Sequence, residues 1–258
     1  DLYDPLPEGL RGRLQLPTRY AALHATHFPP ADASLEQLNR FGAPAQQRLI
    51  FEEAFLFQMG VMARRRTAQA EPKAGEIRVD DRIRESARQV LPFRLTEGQR
   101  KALKEIVDDL QKPHPMNRLL QGDVGAGKTI VALLAAVVAM ENGLQVAFMA
   151  PTEILAEQQF ATVSRLLQGA RFRVALLTGS TKSAAKRAQR ADIERGDVSL
   201  VVGTHALVQG DIAFHRLGLV IIDEQHRFGV LQRASLREKG LHPDVLVMTA
   251  TPIPRTLA

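Results

Sequence analysis

Three glycines, a lysine and a threonine fall within the eight positions Gly122-Asp123-Val124-Gly125-Ala126-Gly127-Lys128-Thr129. Glycines free backbone N–H groups to face a bound anion, and a helix opening at Lys128 would aim its positive end at the same place. In such a cradle Lys128 reaches the outer phosphates of a nucleotide and the Thr129 hydroxyl serves Mg²⁺. Farther along, an apolar run ends in Asp223-Glu224. The aspartate offers Mg²⁺ a second oxygen contact, and the glutamate can orient an attacking water and take its proton. Adjacent acids also end strands and cap turns with no chemistry attached, but downstream of a phosphate loop the chemical reading is the stronger one.

These residues need a scaffold, and after Leu91 the sequence supplies one. Short apolar runs at 119–120, 146–149, 174–177, 200–202, 219–222 and 245–248 read as strands. Helical patterns fit 97–110, 128–140, 154–167, 184–194 and 230–239. Strands apolar on both faces and separated by helices predict a parallel sheet covered on both sides. Ligands of such sheets bind beyond the C-terminal strand ends. The segments 122–129, 151–152, 203–205, 223–224 and 249–251 all fall there, and their convergence says more than any one of them.

The first ninety residues read differently. Pro5, Pro7, Pro17, Pro29 and Pro30 predict mostly extended chain over 1–33, with a short helix over 19–25. From Ser34, an N-cap, Leu35, Leu38, Leu49, Ile50, Ala54, Phe57 and Val61 recur at helical spacing as far as Arg64-Arg65-Arg66. Basic residues suit a helix C-terminus, so that triplet needs no ligand, and 67–76 reads as a loop. The expected organisation is a helical linker over 1–90 and an α/β domain over 91–258.

Composition sets the outer limits. Cysteine is absent from the 258 residues, which excludes disulfide frameworks and thiolate zinc sites and fits a reducing compartment such as the cytoplasm. No apolar run reaches the roughly 18 to 20 residues of a membrane span, so no membrane partner is expected. The net charge of +6 points to an anionic partner, and most of the excess lies after residue 90. Lys182, Lys186, Arg187, Arg190 and Arg195 crowd one helical stretch, although such a run is more often a solvated helix face. The chain opens on Asp1 rather than methionine, and a longer polypeptide is expected.

Taken in order, "GDVGAGKT", "APTEILAEQ", "VGTHAL", "DEQH" and "TATPIPRTLA" resemble the first-domain motifs of superfamily 2 helicases. The pairing of "DEQHRFGVLQR" with "MTATPIPRTLA", and the stretch from "YDPLPEGLRGRLQLPTRY" to "FEEAFLFQMGVMARRR", is similar to the RecG group of bacterial DNA helicases. The resemblance implies a RecA-like P-loop NTPase domain preceded by the region that joins a DNA-binding wedge to the motor. It also implies ATP with Mg²⁺, branched DNA as partner, roles in recombination and repair, and a place near the bacterial nucleoid. Gln99 would read adenine and Phe93 would pack on its ring, although Phe93 also reads as core. Pro151, Thr152, Gly203, Thr204 and His205 would touch the DNA backbone, and His226, Thr249 and Thr251 would couple nucleotide state to DNA grip. A second RecA-like domain of the same polypeptide, bearing the catalytic arginine, is expected beyond Ala258. Two alternatives stay open: a transcription-repair coupling translocase, which typically carries glutamate where this chain has Gln225, and a nucleotide switch without turnover.

Overall fold

The computed structural model describes residues 2–70, 72–73, 75–91, 93–179, 183–204, 207, 212–223 and 242–250, apart from the side chains of 68–69 and 183–185. The chain divides into two compact units, residues 1–68 and 69–258.

The first unit carries α1 (Glu8–Arg13), α2 (Arg19–His27), α3 (Leu35–Asn39) and most of α4 (Pro44–Ala70). Thr18 and Ser34 cap α2 and α3 by accepting from Ala21 and Gln37 N–H. With few large side chains inside, the unit is fastened by charge. Arg48 on α4 is fully buried, pairs with Asp4 and Glu52, and donates its Nε–H to the Pro17 carbonyl at 3.1 Å. Asp4 also accepts the backbone N–H groups of Leu6 and Arg19. Burial alone would raise the Asp4 carboxyl, but those N–H groups and Arg48 hold it below the usual carboxylate range. Two expectations need correcting. α1 forms where extended chain is expected, its N-cap being Pro7, a residue whose fixed φ suits a helix start. α4 also runs past Arg64–Arg66 to Ala70, because Arg, Ala and Gln are good helix formers and a basic triplet only favours a helix end without enforcing one.

The second unit is the expected α/β layer structure. Its sheet contains β1 (Asn117–Gln121), β2 (Gln145–Met149), β3 (Val174–Leu177), β4 (Leu200–Gly203), β5 (Leu217–Asp223) and β6 (Asp244–Thr249). The strands are parallel in the order β1-β6-β5-β2-β4-β3. Alternate side chains feed two cores, as strand geometry requires. Val146, Phe148, Leu219 and Ile221 face the side covered by α5 (Asp81–Gln89), α6 (Glu97–Leu110), α7 (Lys128–Glu141) and α8 (Glu153–Leu166). Ala147, Met149, Val220 and Ile222 face the other side, where Ile193 of α9 (Ser183–Arg195) packs with Leu207 and Ile212. Ile77, Ile83 and Val90 belong to the first of these cores, so the chain from 77 to 90 packs with the sheet. The expected helix over 230–239 lies outside the described residues. Among those described, no helix is long and apolar enough to cross a membrane.

The N-terminal strand edge is closed by buried polar groups. Gln145 donates to the Ile193 and Val198 carbonyls and accepts from Arg216 N–H. Asp244 is fully buried, accepts from Met116 N–H at 2.7 Å, and has Lys73 Nζ 2.8 Å from its second oxygen, an ion pair not aligned as a hydrogen bond. Burial pushes its carboxyl up to about 6 against the pull of Lys73, the Met116 N–H and His114.

Candidate functional site

The strand register brings the five expected loops to one edge. Gln121 pairs with Thr249, Met248 with Asp223, Ile222 with Met149, and Met149 with Gly203. The glycine loop leaves β1 with Gly122 N–H donating to the Thr249 carbonyl at 3.3 Å. Gly125 and Gly127 take φ values of 81° and 78°, a left-handed conformation that side chains other than glycine rarely hold. Gly127 is the N-cap of α7, and a Cβ there would also run into the Gln99 amide. The loop therefore ends in α7's first turn, with that helix's positive end behind it.

Lys128 folds back onto this loop. Its Nζ donates to the Gly122 carbonyl at 2.7 Å and the Asp123 carbonyl at 2.8 Å. Among the described residues it has no carboxylate partner, so two neutral dipoles hold a full positive charge. Val124 stands almost fully exposed at the loop tip, and Thr129 is half-buried in the first turn of α7.

Gln99 has a part that spacing alone did not reveal. It completes a capping box on α6, accepting from Thr96 N–H at 3.0 Å while its own N–H donates to the Thr96 hydroxyl. Its side-chain NH₂ crosses to the Ala126 carbonyl at 2.9 Å. One N–H and further acceptor capacity remain. Phe93 is half exposed, which removes the core explanation for it.

On the other side of the loop, Asp223 ends β5, and its Oδ2 accepts from Gln159 Nε2 of α8 at 3.0 Å. Thr152 caps α8 by accepting from Leu155 N–H, with Pro151 half-buried beside it. Gly203 is required by close approach, since a Cβ would collide with the Leu177 carbonyl. Thr204 and Thr249 are 5% and 4% exposed, which restricts what their side chains can touch. Glu153 accepts from Gly179 N–H at 2.8 Å, tying the start of α8 to the end of β3, a contact not foreseen in the sequence. Glu224, His205, His226 and Thr251 lie outside the described residues.

Among the described residues no group of three or more His, Cys, Asp and Glu could hold a metal. A Mg²⁺ ion at a nucleotide keeps several waters and takes one or two protein oxygens together with phosphate oxygens. Thr129 and Asp223 are oxygen donors of that kind.

The profile of the DEAD/DEAH box helicase family matches residues 96–258. The chain is 47% identical to the ATP-dependent DNA helicase RecG of Synechocystis sp., over all of this chain and 30% of that protein. It is 46% identical to RecG of Bacillus subtilis, over all of this chain and 37% of that one. A solved structure of RecG bound to a three-way DNA junction superposes with a TM-score of 0.83 and 40% identity, covering all of this chain and 34% of that one. The helicase MrfA, at 18% identity and a TM-score of 0.52, shares the fold over 68% of the chain. The chain thus spans about a third of the length of the relatives named RecG.

Proposed function

This chain belongs to the DEAD/DEAH box helicase family, and we propose that it contains the first of two RecA-like motor domains of an ATP-dependent helicase that remodels branched DNA in recombination and repair. In this reading residues 91–258 are the motor half and residues 1–90 join it to a DNA-binding wedge, the whole acting on chromosomal DNA in the bacterial cytoplasm. The observation that carries the reading is Lys128, a cation held by two carbonyls in a left-handed glycine loop at the C-terminal sheet edge. Phosphate oxygens could replace those carbonyls, converting dipole contacts into charge-assisted ones. Bound Mg²⁺ would neutralise phosphate charge, with Thr129 and Asp223 as its protein ligands. Glu224 would accept the proton of the attacking water, which favours turnover over a passive switch. Gln99 and Phe93 would hold the base, Pro151, Thr152, Gly203, Thr204 and His205 the DNA backbone, and His226, Thr249 and Thr251 would relay nucleotide state. The match to RecG proteins extends through the first unit, which supports this reading over a coupling-factor translocase.

The test is calorimetric titration of Mg²⁺–ADP into the chain and into Lys128→Ala. Loss of one charge-assisted phosphate contact should weaken binding by about 1.5 to 3 kcal/mol. Equal affinities would remove the phosphate-loop assignment.

A further inference from the structure

We infer that Gln159 is a positioning residue for the metal-binding carboxylate: its amide orients Asp223 and thereby sets the affinity of the nucleotide site for Mg²⁺. The inference rests on the nucleotide reading above and goes beyond it to a residue in none of the motifs that suggested it. Gln159 sits in the middle of α8, half-buried, and donates its Nε2–H to Asp223 Oδ2 at 3.0 Å across 64 positions of sequence.

The physical case has three parts. A carboxylate at a strand end can rotate about χ2, and a metal ligand that rotates must be ordered each time a cation binds. A donated bond to Oδ2 restricts that freedom beforehand, and a carboxylate, with about four lone-pair sites, can accept it and still offer an oxygen to a cation. An amide donor also adds no charge of its own, unlike a lysine or arginine, which would compete with the cation. Gln159 is in turn held by the helix. α8 is pinned at its first turn by the Thr152 cap and the Glu153 contact to Gly179, and by the buried residues Ala156 and Val163 on either side of Gln159. The same rigid element therefore begins at the proposed DNA-contact segment 151–152 and, seven residues on, holds the carboxylate.

The experiment measures ADP binding to the 258-residue chain over a Mg²⁺ series, and in EDTA, for the unaltered chain, Gln159→Leu, Gln159→His and Lys128→Ala. Leucine keeps the volume and removes the donor, while histidine keeps a ring N–H of similar reach. Removing an outer partner of a metal ligand costs 10- to 100-fold in metal affinity, and the half-buried setting places Gln159→Leu near the low end, a rise of about tenfold in the Mg²⁺ needed for half-maximal binding. ADP affinity in EDTA and the thermal midpoint should not move, and Gln159→His should recover most of the loss. An unchanged Mg²⁺ dependence in Gln159→Leu, with Lys128→Ala impaired, would overturn the positioning role and leave the nucleotide reading standing. An equal loss in EDTA, or no recovery in Gln159→His, would make the contact merely structural and overturn it too. If Lys128→Ala binds like the unaltered chain, or the unaltered chain binds no ADP, the nucleotide reading falls and this inference with it.

Discussion

Two cations in this protein are treated in opposite ways. In the first unit Arg48 is fully buried, and two carboxylates and a carbonyl satisfy its guanidinium. In the second, Lys128 is half-buried and rests on two carbonyls, with no carboxylate partner among the described residues. A buried charge without its partners is costly, so Arg48 reads as a fastener whose needs are met within the unit. Among the described residues Lys128 meets only carbonyl dipoles and no anion. Satisfaction, more than residue type, separates a structural cation from a binding one.

The hardest way to break this contrast is Arg48→Met. Removing Arg48 leaves Glu52, itself nearly buried, with Arg19 alone at 3.2 Å, and leaves Asp4 with its backbone donors and the more distant Arg11 at 3.9 Å. The expected loss is about 3 kcal/mol or more, read from urea denaturation, with Mg²⁺–ADP binding unchanged. Lys128→Ala should do the reverse, moving stability by no more than about 0.5 kcal/mol while weakening the nucleotide. If Lys128→Ala unfolded the chain and Arg48→Met did not, the roles assigned to the two cations would be exchanged.

Asp244 sharpens the comparison from the anionic side. It lies at the N-terminal sheet edge, its carboxyl raised by burial from 3.8 to about 6 despite Lys73. The folded chain therefore binds this proton more tightly than the unfolded chain does. The resulting stability is fully present below the unfolded value and is lost as pH rises through about 6. Between about pH 4 and pH 7 the unaltered chain should lose about 2 to 3 kcal/mol that Asp244→Asn does not lose. Urea midpoints at both ends of that window give the difference directly. A pH-independent difference would mean that Lys73 fully offsets the burial.

The second unit was far more legible than the first. Runs of valine, isoleucine and leucine marked all six strands, and the glycine loop, Asp223 and their shared edge followed from position alone. The elements and contacts that the sequence does not mark have weak local signals. α5 has the sequence DRIRESARQ, with Ile83 its one buried residue, so its apolar stripe is hardly visible, although Asp80 caps it. α1 was hidden by prolines, and the end of α4 by a basic triplet that reads as a terminus. The Gln159–Asp223 and Arg48–Asp4 contacts join positions 64 and 44 apart, and no periodicity encodes such pairs. The Thr96-x-x-Gln99 box was readable as a helix start, but its reach to Ala126 depends on how α6 and α7 pack.

The smallest expected effect concerns that last residue, which belongs to both sides of the comparison. Gln99 fastens α6 through its capping box and holds the loop through Ala126, and in the proposed reading it also recognises adenine. Thr96→Ala removes the hydroxyl cap and leaves the tie to Ala126. Gln99→Ala keeps that cap, which uses the backbone N–H of residue 99, and removes the acceptor for Thr96 N–H together with the tie to Ala126. Thr96→Ala should lower stability by about 1 kcal/mol, the usual worth of an N-cap, and Gln99→Ala by about 1 kcal/mol through its two lost side-chain hydrogen bonds. They should part on nucleotide choice. Gln99→Ala should lose several-fold of any preference for ADP over GDP, since the N–H and lone pair that discriminate the base disappear with it. Thr96→Ala should keep most of that preference, because Gln99 stays anchored at Ala126. Competition of the two nucleotides for the same chain measures this without any need for turnover. A preference that survives Gln99→Ala would leave Gln99 as a fastener alone, on the same footing as Arg48, and would place base recognition elsewhere.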